Sequence, residues 1–294
     1  MATKKKPIIS EEKVNNRVGT FMEVIAKLPR INYNLVLVVL LVAAAYLVGN
    51  LQAKVEFLKG GAGTGQQQQA TQPAAQQQQQ QAAKPAVTMD QVRGLFKDGN
   101  ITFGDKNRKL VFVEFADPSC PFCQVAGGLN GSLNKQMGAQ FTLTADSGSY
   151  IAPVPEMRKL VDQGKASFVW IYANGHGNGE MGTKALYCAN EKGKFWQAHD
   201  LLMSPAGYDL INTTVKNDKT KSADVANFLK NAVSYNDMKG CLDSGKYDNR
   251  TVSDMKVATD FGFSGTPDFY VNTQNFVGAY SFKDMQAAVD AALK

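Results

Sequence analysis

Apolar positions fall into three regimes along this chain. Residues 31–53, INYNLVLVVLLVAAAYLVGNLQA, carry no charge. A helix over them reaches roughly 34 Å, enough for a bilayer core. The strictly apolar centre, Leu35 to Val48, is shorter, and Ala43, Ala44 and Ala45 offer a cleavage site. Three readings follow: an uncleaved membrane anchor, a cleaved signal segment, or a buried soluble helix. The residues before the span are numerous for a signal n-region, which favours the anchor. Residues 54–87 are the second regime, a short charged stretch and then Gly, Gln, Ala and Pro without periodicity. Such a composition cannot bury enough surface to offset the entropy of ordering, and it predicts a flexible linker. About 25 residues of coil reach roughly 25–30 Å.

The third regime, residues 88–294, alternates helical and extended patterns. TMDQVRGLF predicts a short helix capped near Thr88 or Asp90. ITF, KLVFVEFA, FTLTA and ASFVWIYA read as strands, the second and fourth as buried ones. SCPFCQVAGGLNGSLNKQM reads as helical despite its glycines, and PEMRKLVDQG as a helix ended by Gly164. A helical block follows: GEMGTKALYCANEKG, KFWQAHDLLM, SADVANFLKNAV, YNDMKGCLDSGKY and RTVSDMKVATDFG. In the third of these Ser222 is the expected cap, with Val225, Phe228, Leu229 and Val233 on one face. PDFYVNT and NFVGAYS predict a hairpin, and SFKDMQAAVDAAL a final helix with a capping box of Ser281 and Asp284. Strands separated by helices imply an α/β fold with a parallel or mixed sheet.

Charge sharpens the topology. The net charge is +6. Residues 1–34 hold seven Lys/Arg against three Glu, so 7 − 3 gives +4 there and 6 − 4 leaves +2 for the rest. A nucleic-acid binder carries its basic surface on the folded domain. Here the basic residues precede the apolar span, which keeps residues 1–30 in the cytoplasm and puts the C-terminal bulk outside it.

The four cysteines, Cys120, Cys123, Cys188 and Cys241, carry the chemistry. A structural zinc site wants two close pairs or a pair with spaced histidines. Here the second close pair is missing, and His176 and His199 lie at no zinc-finger spacing, so no metal is expected. A Cys120–Cys123 staple would close too small a loop to constrain the unfolded chain. A redox pair fits better, because the C-x-x-C follows a buried strand and opens a helix. Ser119 is the expected cap and Pro121 suits the first turn. Cys120 then sits where unpaired N–H groups and the helix dipole favour a thiolate. The expected arrangement is an exposed nucleophile, Cys120, and a more buried resolving thiol, Cys123.

Three stretches, VEFADPSCPFC, CANEKGKFWQAHDLL and GFSGTPDFYVN, resemble the thioredoxin-like superfamily. Within it, residues 88–294 resemble DsbA-like proteins, which carry an inserted helical domain, here at about 177–245. The resemblance implies that Pro267 is a cis-proline facing the cysteine pair. Thr266 before it then offers its backbone to a substrate strand. Glu114, six residues before Cys120, corresponds to a buried acid that relays a proton to or from Cys123; a solvated or purely structural carboxylate is the alternative. Cys188 and Cys241 are either two buried thiols or, as in some relatives, a structural disulfide, which an oxidising compartment favours.

The implied function is thiol–disulfide exchange on cysteine-containing proteins outside the cytoplasm. It is carried out by a membrane-anchored monomer without a cofactor and recycled by a membrane redox partner. Oxidation is the expected direction. The Phe122 of CPFC stands where strong oxidants carry histidine, so a reductase or isomerase using the same residues is the second reading. A non-catalytic peptide-binding module is the third. His199, Trp170 and Trp196 read as packing residues, and NGHGNGE as a flexible loop whose His176 has a weak claim on substrate. Residues 138–155 look like an insertion near the site with no assigned role.

Overall fold

The computed structural model describes residues 86–97 and 99–294. The basic segment 1–30, the apolar span 31–53 and nearly all of the linker 54–87 lie outside the described residues. Among the described residues no helix is long and apolar enough to cross a membrane.

Two buried, mostly apolar runs make the centre of the sheet. β2 (Leu110–Ala116) and β3 (Ala166–Tyr172) are buried along their whole lengths and pair in parallel, Glu114 beside Trp170. β1 (Ile101–Phe103) lies antiparallel on β3, and β4 (Asp268–Val271) antiparallel on β2, with Glu114 opposite Phe269. β5 (Gln274–Val277) completes a mixed five-stranded sheet in the order β1-β3-β2-β4-β5. The β4–β5 hairpin turns through Asn272, whose φ of 54° suits asparagine.

Strand alternation divides the interior into two cores. Leu110, Phe112 and Ala116 face the side that holds Cys120, Cys123 and the helical block. Val111, Val113 and Phe115 face a smaller core with Val92, Ala258 and Phe261. Position 114 shares the parity of 112 and 116, so Glu114 points to the cysteine side.

The helices are α1 (Met89–Arg93), α2 (Pro121–Gly127), α3 (Gly131–Gln136), α4 (Pro153–Asp162), α5 (Glu180–Glu191), α6 (Phe195–Leu202), α7 (Pro205–Asp209), α8 (Ser222–Phe228), α9 (Tyr235–Asp243), α10 (Asp248–Asp260) and α11 (Phe282–Leu293). Helices α5 to α9, with a π-helical turn over Leu210–Val215, are inserted between β3 and α10. Thr88 caps α1 with Gln91, and Ser281 caps α11 with Asp284, as the capping-box patterns predict. A disulfide joins Cys188 on α5 to Cys241 on α9, with Cα atoms 6.0 Å apart.

Several local expectations change. SCPFCQVAGGLNGSLNKQM is two helices, because Gly128 adopts a left-handed φ of 69° and ends α2. FTLTA forms no strand. Its chain doubles back so that Tyr150 bonds to Thr142 and Thr144, leaving two 3₁₀ turns and one bridge from Leu143 to Tyr150. Gly148 allows that fold-back, since a Cβ there would sit 2.0 Å from the Thr142 carbonyl oxygen. Ser222 opens α8 from inside rather than capping it: its hydroxyl donates to Asp243, 2.5 Å away. Phe228 is half-buried, whereas Val225, Leu229 and Val233 are buried. Trp170 is core, but Trp196 is half-buried, with the Arg158 guanidinium 4.9 Å above its ring. His199 packs between Phe195 and Trp196.

Candidate active site

Cys120 and Cys123 sit where the central strand hands over to α2. Cys120, not Ser119, is the N-cap residue, and Pro121 occupies the first turn. Ser119 is unavailable as a cap because its hydroxyl donates to Asp117 Oδ1 at 2.6 Å. The two thiols are unbonded, so the pair is in its dithiol form. Cys120 is only 4% exposed, against the expected exposed nucleophile. The loop before β4 covers it: its sulfur lies 3.4 Å from the Thr266 carbonyl oxygen, and the Thr266–Pro267 peptide is cis.

The electrostatics separate the two sulfurs. A hydrogen bond from the Cys123 thiol holds Cys120 down to about 6. Burial works against this, while the Thr266 side chain and the Cys123 and Phe122 N–H groups add to it. Cys123 is driven the other way, well above the ordinary thiol range, by burial and by its position beside a charged Cys120. Near neutral pH the pair is therefore one thiolate and one thiol, with the proton on the inner sulfur.

Glu114 lies beneath them, 1% exposed on the cysteine face of β2. Burial raises it to about 8, and its Oε2 accepts no hydrogen bond among the described residues. At pH 7 Glu114 is therefore mostly the neutral acid, which can give a proton, and the carboxylate so formed can take one back. Its charge, when present, raises Cys123 further.

Two features of the site escaped the sequence reading. The first is Asp117, fully buried, which accepts hydrogen bonds from Ser119 and from the N–H groups of Gly175 and His176. NGHGNGE is thus fastened beside the active site by its backbone, with the His176 residue itself exposed. Gly175 must be glycine, since a Cβ would fall 1.6 Å from Thr266 Oγ1. The second is residues 138–152. They carry Phe141 and Tyr150 to one wall of a groove of about 410 Å³ that also involves Phe122, Thr266, Val277 and Tyr280. Phe122 meets Phe141 edge-on at 5.8 Å, and Phe141 meets Tyr150 likewise at 5.7 Å. An apolar groove thus runs from Phe122, the third residue of the Cys-Pro-Phe-Cys motif, past the cis-proline loop.

A family model described as thioredoxin matches residues 155–291. The Na⁺/H⁺ antiporter NhaA 3 of Salinispora tropica is 25% identical over 194 residues, 64% of this chain and 24% of that protein. The chain thus spans about a quarter of the antiporter it matches. A Rickettsia bellii protein provisionally named a protein-disulfide oxidoreductase is 23% identical over 216 residues, 72% of this chain and 71% of the relative. The solved structure of α-DsbA1 from Wolbachia pipientis superposes with a TM-score of 0.51 at 15% identity, covering 69% of this chain and 96% of that one. The chain thus matches a thioredoxin model over residues 155–291 and shares the fold of α-DsbA1.

Proposed function

We propose that this chain is a thiol–disulfide oxidoreductase that introduces disulfides into cysteine-containing proteins outside the cytoplasm. The observation that carries the reading is the asymmetry of the pair. Cys120 is a stabilised thiolate at a helix N-terminus, and Cys123 is a buried thiol above a neutral carboxyl. In the oxidised form, a substrate thiolate attacks Cys120 Sγ. The Cys120–Cys123 bond breaks and Cys123 leaves with the electron pair. Glu114 supplies the proton that neutralises it. A second substrate thiolate then attacks the substrate sulfur of the mixed disulfide. Cys120 leaves as a thiolate, the substrate leaves oxidised and the pair stays reduced. A low leaving-group pKa speeds that last step and favours the oxidase direction.

The apolar groove beside Thr266 supports a substrate presented as extended chain, with the Thr266 backbone as its pairing edge. The basic segment and the apolar span 31–53 support a tethered domain facing outward, with a membrane redox partner reoxidising the pair. A reductase or isomerase is the second reading, favoured by one observation: Phe122 contributes no cationic side chain to the thiolate.

The reduction potential decides the direction. With the full chain equilibrated in glutathione buffers, a Cys120–Cys123 value near about −120 mV is the expected oxidase result. A value near about −270 mV assigns the reductase.

A further inference from the structure

Around the redox motif lies a polar network that the exchange steps above do not use. Asp117 is its centre. Its Oδ1 accepts the Ser119 N–H at 2.8 Å and the Ser119 hydroxyl at 2.6 Å. Its Oδ2 accepts the Gly175 and His176 N–H groups, each at 2.9 Å. Four donors on one buried carboxylate satisfy it completely, so it stays in place without a cationic partner. The network continues into the helical insertion. The Asn178 N–H donates to Ser119 Oγ at 3.2 Å, and the Asn178 amide to Asn212 Oδ1 at 3.2 Å. The Asn212 amide in turn donates to the Ser119 carbonyl at 3.2 Å. Asn212 lies in the π-helical turn Leu210–Val215, a rare geometry that often marks a functional constraint.

This clamp acts on a peptide segment whose backbone bonds to both cysteines, to the backbone of one and the sulfur of the other. The Asp117 carbonyl accepts the Cys120 N–H at 3.0 Å, fixing the nucleophile at the N-cap. The Asp117 N–H donates to Cys123 Sγ at 3.4 Å. That N–H points at an otherwise buried sulfur, and a donor to sulfur counts most when the sulfur is charged.

We propose that Asp117 is a positioning residue for the resolving cysteine: its side chain, locked through Ser119, Asn178 and Asn212 to the helical insertion, aims its own backbone N–H at Cys123 as that sulfur carries negative charge. The inference rests on the exchange reading above, but not on its direction. In the oxidising direction Cys123 is the leaving group when a substrate thiolate opens the disulfide. In the reducing direction it is the nucleophile that breaks the mixed disulfide. The same thiolate forms both ways, and the same N–H stabilises it. Asp117→Asn keeps the size of the side chain but sets a donor amide against the N–H groups it must accept. The clamp loosens and the N–H leaves Cys123.

The test separates the two sulfurs in one experiment. The reduced full chain is mixed with dithiobis-nitrobenzoate. Attack by Cys120 releases one equivalent of coloured thionitrobenzoate. Attack by Cys123 on the resulting mixed disulfide releases the second. In Asp117→Asn the second phase is expected to slow about tenfold relative to the first, the loss of one hydrogen bond to a charged group. Asn212→Ala, which leaves the carboxylate in place, is expected to show the same selectivity to a smaller degree. It decides the matter if Asp117→Asn does not fold. A merely structural role lowers the melting temperature and slows both phases together. That outcome overturns the proposal, as does a second phase slowed by less than about threefold relative to the first. Absence of both phases in the unaltered chain is a different failure, that of the exchange reading itself.

Discussion

Cys123→Ser is expected to stall the chain with substrate covalently held on Cys120. The inner sulfur is then missing, and the buried hydroxyl left in its place does not break a disulfide. Cys120 keeps its place at the α2 N-cap, with the N–H groups of Phe122 and Cys123 still directed at it, so it still attacks. With an oxidised substrate the mixed disulfide accumulates, and it shows on a non-reducing gel as a shifted band that reductant dissolves. Cys120→Ser is expected to give no such band. It lowers exchange by about a thousandfold or more, since the remaining thiol is held protonated. The two variants together assign the roles: attack outside, resolution inside. A band of equal strength from both would mean that either sulfur serves as nucleophile, against the separation of their pKa values.

Removing the second cysteine pair is expected to affect stability and spare the chemistry. Cys188 and Cys241 are 53 residues apart in sequence, and their bond ties α5 to α9. On the chain-entropy model, closing such a loop stabilises the fold by about 4 kcal/mol. Cys188→Ala/Cys241→Ala should therefore lose about that much in urea unfolding, or about 10 °C in melting temperature. Both cysteines lie within the helical insertion, on α5 and α9, and neither is part of the Cys120–Cys123 motif, so Cys120 should react at its usual rate. A loss below about 1 kcal/mol would mean that the insertion is held by its apolar packing alone.

The sheet was legible because its central strands are nearly continuous apolar runs, a pattern that a doubly covered strand needs. The two ends of the site were legible for a different reason. CPFC after a buried strand and GTP before a short one are local signatures of chemistry, and the cis peptide at Thr266–Pro267 lies where that resemblance placed it. Glu114 was expected from the resemblance, six residues before Cys120, with a solvated carboxylate as the alternative, and the structure shows it buried.

What stayed hidden depends on contacts across long stretches of chain. Burial of Cys120 comes from the Thr266 loop, nearly 150 residues away. Ser119 and Ser222 each looked like helix caps, but nearby carboxylates, Asp117 and Asp243, engage their hydroxyls instead. Local propensity proposes a cap and the stronger charged acceptor wins. Asp117 itself left one trace: Asp-Pro-Ser after a strand is a turn sequence in which Asp accepts the N–H two residues on. Nothing local announced that the same carboxylate also gathers Gly175 and His176. FTLTA read as a strand within an insertion of no assigned role, yet Gly138 and Gly148 bracket a fold-back that turns Phe141 and Tyr150 toward the groove.

The central claim is that Cys120 is a thiolate at neutral pH while Cys123 is not. Ultraviolet absorbance of the thiolate, titrated on the reduced full chain with Cys188–Cys241 intact, measures this directly. The account predicts one thiolate appearing with a midpoint near pH 6 and no second one before the alkaline limit of the fold. A single rise near the ordinary thiol value of about 8.5, or two thiolates rising together, would contradict it.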